Sequence, residues 1–428
     1  MIQKEISPTY TLYSKNFPLP ITLLDYKPSK ELKVLQTSRI ASPVTRHQKT
    51  ESIEQVIMNL TDALINIDID VFVAAPGDSK PFEDFNIFPT IDKSYGLKYS
   101  AEDEEKKKPL ILEHYIKAIQ YAKDNNFDVI HDHYKLINMP EFDKFLYRRY
   151  MPTILSTLHV PPERAGNPER IKEVSQKSFF SVVSESQRKL FIEKLAINPS
   201  RIFSVHNGID LEEFSFQREK KDYLLFMGRI NQDKGVYSAC KIAKETNHSL
   251  VISGYFDNSD KSNRNYFENK VKPYIDIVLN ISSEGAESYE AKLLQTINEN
   301  PGKIIFVGRS DSDQRSILYK NAKAYLFTSG MENEWIEPFG LVIIEANASG
   351  TPVVAYQNGA VNEIMINYTN GITASDYNGL ISAIKKIDVI EPYKCRKHVE
   401  SHFTSEIMAK NYVDLYREIT ISSKKERI

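Results

Sequence analysis

Two passages of this chain carry charged side chains at spacings suited to phosphate and sugar chemistry. In the first, Phe226-Met227-Gly228-Arg229-Ile230-Asn231-Gln232-Asp233-Lys234-Gly235, an apolar run closes on a glycine and two cations follow. A run of that kind reads as a strand end, so Arg229 and Lys234 would flank the start of the next helix. There they form a cationic clamp that can stabilise charge on a departing diphosphate. The second passage runs from Trp335 to Val354 and contains Glu337 and Glu345. Pro338 and Gly340 mark a turn, a helix starts after Gly340, and Gly350-Thr351-Pro352 ends it before a strand. The start of such a helix offers free N–H groups and a positive dipole end to an anion. Glu345, inside the helix, can accept two hydrogen bonds from a ribose diol. Glu337 lies on the turn itself. The plain alternative is an ordinary strand, turn and helix with two surface glutamates.

The elements that must position these residues follow from the alternation of short apolar runs with amphipathic stretches. In the first half, Leu32–Ala41 reads as a strand. Ile53, Val56, Ile57, Leu60, Ala63 and Leu64 fall on one helix face. A strand ending at Pro76-Gly77 and a helix through Ile111, Tyr115, Ala118, Ile119 and Ala122 come next. FDVIHDH, PTILSTLH and FFSVVS are three further strands. After Ile202–Val205 the polar stretch Phe216–Asp222 reads as a linker. The pattern then restarts with YLLFMGR, a helix on Val236, Ala239, Cys240 and Ala243, and strands at SLVISG, KIIFVG, AYLFTSG and TPVVAY. The segment Asn258–Asn300 reads as helices with an inserted loop, and residues 391–420 as terminal helices. The fold class is therefore α/β: two Rossmann-like, doubly wound parallel-sheet domains, whose ligand belongs in the cleft beyond the carboxyl ends of the strands.

Composition narrows the function. The 428 residues hold 55 basic and 57 acidic side chains, a formal charge of −2. That balance argues against a nucleic-acid-coating protein. With 26% charged and 11% aromatic residues, the chain is not of disordered type. Cys240 and Cys395 are too few for a disulfide framework and read as buried apolar residues of a reducing compartment. No apolar run reaches the ~18 residues of a membrane span, and the first residues lack the apolar segment of a secretory signal. A cytoplasmic enzyme is expected. Residues 1–31 form an extension of unassigned role.

Together the two charged passages resemble the retaining GT-B glycosyltransferases of family 4, the group that includes sucrose synthases and phosphatidylinositol mannosyltransferases. The shared signature is a pair of glutamates, here Glu337 and Glu345, seven residues between them, with Pro338-Phe339-Gly340-Leu341 after the first. Gly359-Ala360-Val361-Asn362-Glu363-Ile364 is similar to the family's Gly-Gly-x-x-Glu turn. His206-Asn207-Gly208-Ile209-Asp210 is similar to its crossing motif.

The resemblance implies GT-B architecture, with an acceptor-side domain over 32–210, a nucleotide-sugar domain over 211–400, and helices 401–428 packing back toward the first. It implies that Gly228, Arg229 and Lys234 hold the donor diphosphate, Glu345 the ribose, and Glu337 the sugar hydroxyls beside the backbone of Phe339, Gly340 and Leu341. His159 would stand by the anomeric centre, and with Arg229, Lys234 and Glu337 it makes up the implied catalytic set. His131, His133 and Ser52 would face the acceptor, while Ser184-Glu185-Ser186 reads as a helix cap.

The implied reaction is transfer of a hexose from a nucleotide diphosphate sugar, a UDP-sugar ahead of a GDP-sugar, to an unidentified acceptor that is a glycan, lipid-linked or a small molecule. No metal or other cofactor is implied: His131-x-His133 has ligand spacing but no third partner nearby. One departure stands out. Glu51 and Ser52 occupy the places of two glycines that let the family's backbone approach its ligands. That leaves a catalytically degenerate partner subunit as one alternative; a GT-B phosphorylase or epimerase is another. The aromatic and basic stretch Phe142–Tyr150 offers peripheral contact with the inner membrane face, or else a packed helix.

Overall fold

A computed structural model describes residues 32–45, 52–80, 85–96, 104–139, 141, 152–256 and 260–426. The extension 1–31, Glu51, the Ser52 side chain and the stretch 142–150 lie outside the described residues.

Within Leu32–Ile428 two parallel sheets of seven strands each carry the fold. The first is built from β1 (Lys33–Thr37), β2 (Asp70–Pro76), β3 (Asn86–Ile91), β4 (Val129–Asp132), β5 (Thr153–Leu158), β6 (Phe179–Val182) and β7 (Ile202–Ser204). Their order is β3-β2-β1-β4-β5-β6-β7. The second holds β8 (Lys221–Arg229), β9 (Ser249–Tyr255), β10 (Ile277–Val278), β11 (Ile304–Gly308), β12 (Ala322–Phe327), β13 (Val353–Tyr356) and β14 (Gly371–Ala374), in the order β10-β11-β9-β8-β12-β13-β14.

The unbroken apolar runs that suggested buried strands have a physical basis here. Both faces of each sheet are covered, so neighbouring residues enter opposite cores. Val34 packs in one cluster and Leu35 in the other. In β8, Leu224 and Phe226 face one layer while Tyr223, Leu225 and Met227 face the other. Strand order reverses between β1 and β4 and between β8 and β12, which places the two ligand-accepting crevices of such sheets at those points. Four strands were not read as strands, and all four sit at sheet edges: β3, which contains Pro89, and the short β7, β10 and β14.

The chain passes between the lobes twice, and the two passages are bonded together. The Ile209 amide donates to the Phe403 carbonyl, and the Ser405 amide to the Ile209 carbonyl, each at 3.0 Å. Gly208 permits this approach: a Cβ there would stand 2.2 Å from the Thr404 carbonyl oxygen. The stretch Phe216–Asp222 is therefore not the crossing. Its Lys221 and Asp222 belong to β8, and Lys220 donates to the carbonyls of Lys320 and Ser349 at 2.9 Å each. After the second passage, the helix Ser405–Glu426 lies on the first lobe, where Met408, Tyr412, Tyr416 and Ile419 share a core with Val34, Leu60, Val129 and Leu155. Cys240 and Cys395 are buried free thiols, each pushed up to about 12 by burial first.

A second tie joins the lobes through the motif around Glu363. Its carboxylate accepts from the amides of Glu185 (2.7 Å) and Ser186 (2.6 Å), at the first turn of the helix Glu185–Leu195, and lies 3.1 Å from His206 Nε2. The Ser184 hydroxyl, the cap of that helix, donates to the Pro338 carbonyl at 2.7 Å. An anion at a helix N-terminus is favoured by the unpaired amides and the dipole together. Burial alone would raise the Glu363 pKa, but His206, Ser186 and the two amides outweigh it, and the carboxyl is held below its usual value. Its stabilising contribution is thus complete above the unfolded value of about 4.3 and is lost as pH falls through the lower folded value. Glu363→Gln is expected to cost about 1–2 kcal/mol at pH 7. The gap between variant and wild type should close as the pH drops below about 4, measured as denaturant midpoints at both pH values.

Candidate functional site

The carboxyl end of β8 delivers Gly228 and Arg229 to the cleft, and the turn Gln232–Lys234 follows. The Asn231 side chain caps that turn by accepting from the Lys234 amide at 3.2 Å. Gly235 closes it with φ of 69°, in the left-handed region. A Cβ there would meet the Thr328 carbonyl oxygen at 2.2 Å. The turn is thereby pressed against the end of β12, where Ser329 and the loop to Gly340 begin.

Lys234 and Glu337 meet at this junction. Lys234 Nζ lies 2.6 Å from Glu337 Oε2, the Ser329 hydroxyl donates to the same oxygen at 2.7 Å, and Trp335 Nε1 is 3.4 Å away. Only 7% of Glu337 is exposed. Burial would raise its pKa, yet the Lys234 charge and the three donors hold it below the ordinary carboxylate value. Lys234 is therefore not a free cation, as the simple clamp reading would have it, but one half of an ion pair. Arg229 is the exposed member and has no carboxylate partner among the described residues. From the first lobe, Arg164 crosses the cleft to Asp233 (3.0 Å), with its guanidinium 4.4 Å from the Trp335 ring centre.

The turn at Pro338–Gly340 leads into the helix Leu341–Ala348, whose first amides have no acceptor within the helix. Glu345, one turn further in, accepts from the Tyr319 hydroxyl at 2.7 Å and has Arg315 Nη1 at 3.8 Å.

A cavity of about 330 Å³ between the lobes brings these parts together. Gly228, Arg229, Lys234, Glu337, Phe339, Gly340, Leu341 and Glu345 all line it, and His159 lines it from the first lobe. The other first-lobe candidates are placed differently. His131 is buried behind the wall, with Nδ1 2.7 Å from the Tyr416 hydroxyl and Nε2 2.6 Å from Thr157 Oγ1. His133 is also buried, and reaches the cavity only through its 3.1 Å contact with His159 Nε2. Ser52 opens the helix Ser52–Ile65, whose Ile53 and Val56 reach the cavity wall.

Sequence reasoning missed the far end of the cavity. Arg309, Ser310, Asp311 and Arg315 line it, and the Arg309 guanidinium lies 4.3 Å from the ring centre of Tyr255. The available signal was positional: Tyr255 ends β9, and Arg309 directly follows β11, both at the strand ends where ligands gather. No group of three or more His, Cys, Asp or Glu side chains among the described residues is arranged to hold a metal ion. No described helix is long and apolar enough to cross a membrane.

Two Rossmann-like sheets facing each other across a cleft that pairs cations with acidic residues define a GT-B-type transferase. Sequence comparison agrees from both halves. Residues 53–213 match Glycosyltransferase Family 4, and residues 209–391 match Glycosyl transferases group 1. The chain is a GT-B-fold glycosyltransferase related to family 4. It is 24% identical over 354 residues to the putative glycosyltransferase YtcC of Bacillus subtilis, covering 73% of this chain and 78% of that protein. The uncharacterized glycosyltransferase MJ1607 of Methanocaldococcus jannaschii is 28% identical over a shorter stretch, 39% of each chain. In fold, the chain superposes on a sucrose-phosphate synthase from Thermosynechococcus elongatus with a TM-score of 0.67 at 18% identity, covering 92% of this chain and all of that one. It superposes on Anabaena Alr3699/HepE, solved with UDP and glucose, with a TM-score of 0.62 at 13% identity, covering 90% and 99%.

The close approach at Gly235 gives a direct test of how the turn is held. Gly235→Ala adds a Cβ against backbone in a conformation that L-residues resist. A loss of about 2–3 kcal/mol in denaturant unfolding is expected, with Lys234 displaced from Glu337.

Proposed function

We propose that the protein moves a hexose from a nucleotide diphosphate sugar, a UDP-sugar ahead of a GDP-sugar, to an acceptor hydroxyl with retention at the anomeric carbon. The observation that carries this reading is the meeting of Arg229, Lys234, Glu337, Glu345 and the Leu341 helix start in one cavity, with His159 on the facing wall. Arg229 and Lys234 hold the diphosphate and stabilise the leaving nucleotide, supplying the charge that a metal ion supplies in other transferases. The amides of the Leu341 helix start add to that stabilisation. Glu345, kept in place by Tyr319, takes the ribose diol, and the Arg309–Asp311 end receives the base. Glu337 receives sugar hydroxyls on its free oxygen while Lys234 and Ser329 hold the other. The HepE complex with UDP and glucose supports the UDP preference.

Retention without a strong protein base is chemically consistent with the first-lobe wall. His159 is held neutral, its pKa pushed down to about 3 by burial first and then by the Arg39 guanidinium. A group of that pKa is a poor proton acceptor at pH 7. The acceptor hydroxyl therefore attacks from the leaving group's side, and the departing phosphate takes its proton. The acceptor is a glycan, a lipid-linked molecule or a small molecule with a free hydroxyl.

Lys234→Ala and Glu337→Ala are each expected to cut transfer by about two decades, since one preorganised electrostatic contact is worth ~3 kcal/mol. Undiminished turnover in both would remove the mechanism. In a thermal-shift screen a bound UDP-sugar at a hundred times its dissociation constant adds about 2.7 kcal/mol of stability. A response to GDP-sugars alone would reverse the donor assignment. Release of nucleotide diphosphate only when acceptor is present separates transfer from phosphorolysis and epimerisation.

A further inference from the structure

His159 is the cavity end of a buried relay whose polarity can be read from its other end. Thr61, on the helix Ser52–Ile65, gives its hydroxyl proton to the Ile57 carbonyl at 2.7 Å. Its oxygen is then left to accept from the Gln36 amide nitrogen, also at 2.7 Å. This orients the Gln36 carboxamide so that Oε1 faces His133 Nε2 at 3.0 Å. A carbonyl oxygen can only accept, so His133 Nε2 carries the ring proton.

His133 is neutral, because burial first, then His131 and His159, push its pKa well below the ordinary value. Its Nδ1 is therefore a bare lone pair, and His159 Nε2, 3.1 Å away, must donate to it. His159 is neutral as well, so its own Nδ1 has no proton and can only accept. The opposite polarity requires Thr61 to turn its hydroxyl from Ile57 to Gln36, which forfeits one hydrogen bond of the series. His131 cannot substitute in the relay. Its ring centre lies 4.0 Å from that of His133, tilted by 40°, but both its nitrogens are engaged by Tyr416 and Thr157.

We propose that Thr61, Gln36 and His133 are positioning residues that fix His159 as the Nε2–H tautomer, so that its ring meets the donor sugar as a hydrogen-bond acceptor through Nδ1. The part played by the sugar rests on the donor-site reading above; the tautomer does not. Gln36, Thr61 and His133 are fully or almost fully buried, on β1, on the first helix and just beyond β4, and none of them lines the cavity. A hydroxyl of the sugar satisfies the bare Nδ1, whereas the other tautomer would place its one N–H there and leave Nε2 bare.

Nitrogen NMR of histidine-labelled full-length protein at pH 7 reads the tautomer directly, with His159→Asn assigning the signals. The expected spectrum has His159 protonated at Nε2 and unprotonated at Nδ1. Gln36→Met removes the acceptor that sets the polarity. It should mix the two His159 tautomers and lower kcat about tenfold, the worth of one hydrogen bond, while the donor KM and the melting temperature stay near wild type. Thr61→Val should act in the same direction, and Thr61→Ser should restore both tautomer and turnover. A wild-type His159 protonated at Nδ1 overturns the proposal. So does a Gln36→Met protein whose His159 tautomer is unmoved, or one whose tautomer moves without any change in kcat. If wild type shows the Nε2–H tautomer but no transfer from any nucleotide sugar, the donor-site reading fails and takes the sugar contact with it.

Discussion

The carboxylate of Glu337 is the point on which the cavity depends. Two segments send donors to it: Lys234 from the turn after β8, 103 residues away in sequence, and Ser329 and Trp335 from the loop after β12 that leads to Glu337 itself. A buried ion pair is weak evidence for stability, because desolvation of both charges offsets much of the attraction. Its value here is geometric. Holding the carboxylate fixes the position of Pro338, and so the entry of the helix whose first residues, Leu341 and Val342, line the cavity. The Ser184 hydroxyl, bonded to the Pro338 carbonyl, carries the same constraint to the opposite lobe.

Charge pairing also sets what the cavity can attract. Lys234 is balanced by Glu337, and Arg315 stands 3.8 Å from Glu345. Arg229 is exposed at the point where β8 meets solvent, with no carboxylate partner among the described residues. A ligand bearing a diphosphate brings its own negative charge and need not break the Lys234 pair, because an ammonium has three protons to give. Arg164 adds a contact from the first lobe that is sensitive to the gap between lobes, since its partner Asp233 belongs to the same turn as Lys234.

Much of this was legible from residue order. Central strands buried on both faces declare themselves as unbroken apolar runs, as YLLFMGR does. Edge strands do not: β3 contains a proline, and β10 has only two residues. The residues of the donor lobe were readable because glycine, proline and charge cluster within single short segments. The histidines of the first lobe were harder. His131 lies within β4 while His133 and His159 stand just beyond β4 and β5, and their spacing gives no hint that His131 packs against Tyr416 from the far end of the chain. The contacts of Arg164 and Glu363 across the cleft were equally hidden, because each joins segments whose separation says nothing of their proximity.

The last long helix has a consequence for the order in which the protein can be made. Synthesis delivers the strands of the first lobe early, yet the apolar face carrying Val34, Leu60, Val129 and Leu155 is covered by Met408, Tyr412 and Tyr416. Until those residues leave the ribosome, only the first helix, through Val56, Leu60, Ala63 and Leu64, covers that part of the sheet, and the cluster stays incomplete while the second lobe is still being translated. The second lobe's sheet draws on one continuous stretch, from β8 to β14, and can close as it emerges. The half that is begun first is thus completed last, which makes the nascent first lobe the natural client for a chaperone and leaves it exposed in any product of premature termination.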